Sequence, residues 1–216
     1  MGVIYAMVGV VVLIGAIIAL GLVYESKRRK ALLAIAEAMG LKFEQKADHV
    51  LNLEFTQLGL FTMGHARKAS NLLSGAIEDI DLFIFDYQYT IGGGRNSSTP
   101  MQTVAVFGVR ERDLPAFEMR PEGWCHRIGQ VFGYQDIDFD EHPAFSKQYL
   151  LRGGDEQAIR RVFTPELIEY LEQRDPISVE ASGSFVMVYR PGKRVKPDHL
   201  AAFIETAFEV ATRFGG

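Results

Sequence analysis

Val3 to Val23 reads "VIYAMVGVVVLIGAIIALGLV", 21 residues without one charged side chain. Coiled as a helix it is about 32 Å long, enough to cross a hydrocarbon layer of roughly 30 Å. Thirteen of its residues are Val, Ile or Leu, and on an insertion scale they contribute about −4 to −8 kcal/mol together. A secretory signal would carry a basic start, a shorter apolar run and a small-x-small cleavage site before the charges, and these are missing. The stretch is therefore expected to be a retained anchor running through Val3, Ile14 and Val23. Lys27, Arg28, Arg29 and Lys30 follow it directly. A basic cluster C-terminal to a span predicts the amino terminus outside and the body in the cytoplasm, with those four side chains near anionic headgroups. Gly15 and Ala19 form a small-xxx-small pair that would permit close packing of two anchors into a homodimer.

The chain carries a net charge of −4, and residues 25–30 hold one acid and four bases, so residues 31–216 carry −7. An acidic body is ill suited to nucleic acid, whose binding rests on basic groups meeting phosphates. The single cysteine, Cys125, excludes an internal disulfide framework and a multi-cysteine zinc site.

Periodicity organises the remainder into residues 1–24 as anchor, 25–40 as basic segment and first helix, and 41–216 as one soluble domain. Leu32, Ile35, Ala36 and Met39 recur with helical spacing, and Gly40 is a natural stop. "LFIFDYQYTI" (82–91) and "QTVAVFGVR" (102–110) predict a long hairpin, and "KASNLLSGAIEDI" a strand before it, turning near Ser74 and Gly75. "DIDFDEHPAF" alternates acids with Ile137 and Phe139 as a half-buried strand would, and residues 123–133 suggest a short helix. Asp155 and Thr164 are placed to cap two helices, with Pro165 at the first position of the second. A second hairpin turns across Ser182–Ser184, and Leu200, Phe203, Ile204, Ala207, Phe208 and Ala211 give a closing helix over 197–213. Hairpins separated by helices without βαβ alternation predict an α+β fold, an antiparallel sheet with helices on one face.

Little in the chain looks catalytic. "IGGGRNSST" (91–99) is rich in glycine and hydroxyls, but no Gly-Lys-Ser/Thr follows and the next element is a strand, so it reads as a hairpin tip rather than a phosphate loop. Asp136, Asp138, Asp140 and His142 are candidate ligands for a hard cation, although Glu141 stands where a calcium loop needs glycine. Cys125 beside His126 is a candidate nucleophile, although adjacent residues on one element seldom face each other. No nucleophile elbow, HExxH, kinase loop or nucleotide fingerprint occurs, so no catalytic residue and no cofactor are assigned.

"GAIEDIDLFIFDYQYT", "GGGRNSSTPMQTVAVF" and "HPAFSKQYLLRGGDEQAIRRVFTPELIEYLE" together resemble a family of uncharacterised bacterial membrane proteins, a domain of unknown function. The resemblance covers roughly Leu60–Leu171 and the layout of anchor then domain. It implies a bacterial envelope location and carries no activity. The expected role is a membrane-tethered interaction or accessory module with an unknown protein partner, using a sheet edge near Phe83–Ile91. The alternatives are a small-molecule or lipid sensor with a pocket between the sheet and the closing helix, and a hydrolase built on Cys125 or the Asp136–His142 cluster.

Overall fold

The computed structural model describes residues 2–77, 79–110, 112–123 and 135–214, and among these it leaves aside the side chains of residues 2–12, 14 and 18. The first helix, α1, runs unbroken from Gly2 to Ala38. It stops where the sequence predicts. Gly40 takes φ +68°, its N–H donates to the Glu37 carbonyl, and Leu41 N–H donates to the Ala36 carbonyl at 2.8 Å. That pair of bonds is the Schellman ending, which needs a left-handed residue and so favours glycine. Leu32 and Ala36 are buried while Met39 is exposed, so the inward face of α1 is narrower than the spacing implies.

After β1 (Lys42–Lys46) come two short 3₁₀ turns and a single helical turn, α2 (Gly59–Thr62). Then β2 (His65–Ile77), β3 (Ile80–Thr90), β4 (Met101–Val109) and β5 (Leu114–Pro121) lead to α3 (Pro143–Gln148) and β6 (Tyr149–Gly153). Next are α4 (Glu156–Val162), α5 (Pro165–Glu172), β7 (Ser178–Gly183), β8 (Phe185–Tyr189) and α6 (Leu200–Arg213). The eight strands form one sheet in the order β1-β2-β3-β4-β8-β7-β5-β6, with every pairing antiparallel. The fold is α+β.

Both predicted hairpins form. In the first, Ile80 to Gln88 pair in unbroken register with Val109 to Met101. The caps form as well: the Asp155 side chain accepts the Ala158 N–H at 2.9 Å and the Thr164 hydroxyl accepts the Leu167 N–H at 3.3 Å. β2 runs through Ser74 and Gly75 without the predicted turn. The stretch from Gln135 to Phe139 forms no strand and Asp140 enters a turn; the Ile137 N–H bonds the Leu151 carbonyl. Of the helix predicted over 123–133, all but Gly123 lies outside the described residues.

The helices other than the single turn α2 pack on one sheet face, as expected. Leu73, Leu82, Ile84, Ala105 and Phe107 meet Leu32, Ala36 and the inner side of α6 there. The opposite face is not left to water. Leu72, Phe85, Tyr87, Val106, Met187 and Tyr189 are covered by Val50, Phe55, Leu58, Leu60 and Phe61 from the segment between β1 and β2. A strand buried on both faces loses polar alternation, which explains the near-continuous apolar run of β3. Gly64 sits where this cover meets the sheet, at φ +57°, and a Cβ there would lie 2.3 Å from the Thr90 carbonyl oxygen.

Candidate functional site

Two buried groups of charges interrupt the apolar layers. The first lies on the helix face. Asp86 on β3 and Arg28 on α1 are each 4% exposed. Arg28 donates to Asp86 through Nε at 2.9 Å and Nη2 at 2.7 Å, and through Nη1 to the Val195 carbonyl at 2.6 Å. Asp86 also accepts from Asn71 Nδ2 (2.9 Å), Thr103 Oγ1 (3.0 Å) and Arg194 Nη2 (3.1 Å). Arg194 in turn grips Glu25 on α1 at 2.6 and 2.9 Å. Asn71 reaches Asp86 because β2 is irregular there: its register shifts between Ser70 and Leu73, and Asn71 takes φ +56°. Irregular ladders of this kind re-aim a side chain, and asparagine tolerates the left-handed region better than most residues.

Burial alone would push the Asp86 carboxyl up, but the bonds and charge of Arg28 and the charge of Arg194 outweigh it and hold the group below its ordinary range. Glu25 is held down chiefly by its bond to Arg194. The network staples α1 to the sheet and to the connection between β8 and α6.

The second group lies on the opposite face. Glu180 on β7 is fully buried. Its carboxylate accepts from Tyr189 Oη (2.8 Å), Arg120 Nη2 (3.2 Å) and the Leu60 N–H (2.9 Å). Arg120 also pairs with Glu118. Glu118 is pushed up by burial first and by the Glu180 charge, against the pull of Arg120. The buried rings of Tyr87 and Tyr89 lie nearby, and burial raises Tyr89 to about 12. Beside this group opens a cleft of about 370 Å³ between strands β5, β6 and β7 and the turn at Leu58–Thr62. Its apolar walls include Leu58 and Ala116, with Glu118 and Arg152 as charged groups. Among the described residues the lining has hydroxyls at Thr62 and Ser182 and neither histidine nor cysteine. Such a surface can bind a small molecule.

The structure redistributes the residues singled out from the sequence. Arg28 is turned inward into an ion pair and is withdrawn from any headgroup, while Lys27 and Lys30 are exposed and Arg29 is half-buried. Asp136, Asp138 and Asp140 do not converge on a cation: the Asp136 carboxylate takes the Leu151 N–H at 3.0 Å, and His142 lies near Glu172 at 3.9 Å. Among the described residues no group of three or more His, Cys, Asp or Glu could hold a metal ion. Cys125 and His126 fall outside the described residues. The 91–99 stretch is a hairpin tip, bridged from Ile91 to Ser98 with Arg95 exposed. The strand expected to offer an edge, β3, is interior, flanked by β2 and β4; the edges are β1 and β6. The cleft lies on the sheet face opposite the closing helix α6, not under it.

Neither buried charge group was legible in the sequence. Their members come from up to five separated segments. The available signal was an acid, Asp86 or Glu180, with an uncharged residue on either side of it in a strand.

Counted over the residues whose side chains are described, no helix is long and apolar enough to cross a membrane. Val3 and Ile14, with most of the apolar run, lie outside that set. Those α1 side chains that are described at this end stand free of the body: Leu13 is 61% exposed, Ile17 61%, Leu20 70% and Val23 52%.

No protein-family model and no curated protein matches the chain. Its fold is similar to the crystal structure of the mycobacterial trehalose monomycolate transport factor A, with a TM-score of 0.63 over 88% of this chain and 93% of that one. The two sequences are 13% identical, and the likeness is one of fold.

Proposed function

We propose that the chain is a single-pass, membrane-anchored accessory module of the bacterial envelope, with its amino terminus outside and its α+β domain in the cytoplasm. The observation that carries this reading is the bare apolar end of α1. Leu13, Ile17 and Leu20 point one way, and Leu22 lies on the opposite side of the helix at 100° per residue. An apolar surface on all sides of one helix needs an apolar solvent, and a bilayer supplies it. The charge order after Val23 supports the orientation. The fold likeness to a protein named a transport factor supports an accessory role and makes a membrane transport protein the first class of partner to test.

Sodium carbonate extraction and thiol labelling test the reading. In a Cys125→Ser chain carrying Glu205→Cys on the exposed side of α6, a membrane-impermeant maleimide should label only permeabilised cells, and the chain should resist carbonate. Release by carbonate overturns the anchor. Labelling of intact cells overturns the orientation.

The cleft favours a second reading, a small-molecule or lipid-binding domain in which apolar walls seat the ligand and Glu118 and Arg152 orient it. Ala116→Trp fills the cleft from an exposed position. Unchanged retention of small molecules by this variant, measured by mass spectrometry of the purified chain, would rule this reading out.

A further inference from the structure

α1 enters the body without a linker. Arg28 is five positions beyond Val23, about 7.5 Å of helix, and is already buried. On the anchor reading, the near end of the domain therefore lies within about one Debye length of the headgroups. The charge network decides which part that is. Arg28 bonds the Val195 carbonyl and Arg194 bonds Glu25, so the connection "RPGKRVK" (Arg190–Lys196) lies against the turn of α1 that holds residues 25–28.

Its backbone is pinned. Gly192 N–H donates to Gln102 Oε1 (2.9 Å), Thr103 N–H to the Lys193 carbonyl (3.2 Å) and Val195 N–H to Thr103 Oγ1 (2.9 Å). Arg194 is turned into the network, while Lys193 and Lys196 are exposed. On α1, Lys27 and Arg29 flank Arg28 by about 100° on either side and Lys30 faces away. Two basic segments more than 160 residues apart thus meet at one end of a body that is otherwise acidic.

We propose that Lys193 and Lys196 join Lys27, Arg29 and Lys30 in a basic collar around the exit of the anchor, and that the collar binds anionic lipid headgroups. The inference rests on the membrane reading above. The charges are spread around a helix axis rather than gathered in a pocket, which suits a charged plane. Each lysine near such a plane strengthens association about fivefold.

The full chain is placed in nanodiscs of phosphatidylcholine alone or with phosphatidylglycerol, and lysine acetylation rates are read by mass spectrometry. Phosphatidylglycerol should slow Lys193, Lys196, Lys27 and Lys30 by about fivefold or more. Lys42, beyond the far end of α1, should not change. In Arg194→Gln the protection should fall at Lys193 and Lys196 and persist at Lys27 and Lys30. Protection of Lys27 and Lys30 alone in the unaltered chain overturns the collar and leaves the anchor standing. Equal rates at all sites in both lipids, with the chain recovered in the discs, also overturn it. A chain that does not enter the discs overturns the anchor reading and the collar together.

Discussion

Replacing Asp86 by alanine tests whether α1 is held by charge. The carboxylate accepts five hydrogen bonds, from Arg28 Nε and Nη2, Asn71, Thr103 and Arg194. Its side chain and that of Arg28 are each 3% exposed, so water cannot replace what is lost. Arg28 keeps its bond to the Val195 carbonyl but becomes an uncompensated buried cation. Removing one partner of a buried pair costs about 3–5 kcal/mol. That is a large part of a typical stability of about 5–15 kcal/mol. With a urea dependence of about 2 kcal/mol per molar, the midpoint should fall by about 1.5–2.5 M. The assay is equilibrium urea unfolding of the full chain in detergent micelles, followed by far-ultraviolet circular dichroism. Arg28→Met removes the stranded cation, so the double variant should cost less than the sum of the two single changes, by about 2 kcal/mol. A loss below about 1 kcal/mol for Asp86→Ala, or simple additivity in the double variant, would show that α1 is held by apolar packing instead.

The same carboxyl gives a pH dependence. Its folded value is depressed, so the stability it contributes is complete above the unfolded value of about 3.9 and is lost as pH falls toward the folded one; an Asp86→Asn chain should lack this acid-side slope in urea midpoints taken across that window. Gly64→Ala sets a Cβ against the Thr90 carbonyl in a left-handed position and should cost at least about 2 kcal/mol, read as a lower thermal midpoint; an unchanged midpoint would mean that the cover over Tyr89 is easily displaced. Tyr189→Phe removes one of the bonds to the buried Glu180 and should cost about 1–3 kcal/mol, again by urea unfolding. Gly15 and Ala19 are exposed on α1; if two anchors pair there, leucine at both should abolish a crosslinked dimer in membranes, and undiminished crosslinking rejects the pairing.

Periodic elements were readable because each is a local matter. Gly40 ends α1, Thr164 and Pro165 start α5, and the apolar repeat of α6 is buried as spaced. The unread parts have non-local causes. The segment over the second sheet face has apolar residues at Val50, Phe55, Leu58 and Phe61, but its 3₁₀ turns follow no helical or strand period. The alternation at Asp136–Asp140 mimics a strand, yet among the described residues one ladder-like bond forms, from Ile137 to Leu151, and the Asp136 side chain takes the Leu151 N–H.

By itself the sequence determined the apolar run, the basic residues that follow it, the hairpins and the capped helices, because hydropathy period and turn chemistry act over a few residues. Tertiary structure alone decided that Arg28 leaves the basic cluster for Asp86, that Arg190–Lys196 lies beside α1, and that Glu180 shares its buried site with Arg120 and Tyr189. The reason is desolvation. A charge inside the fold persists only where partners converge on it, and those partners are drawn from strands and loops whose neighbourhood is set by the order of the sheet.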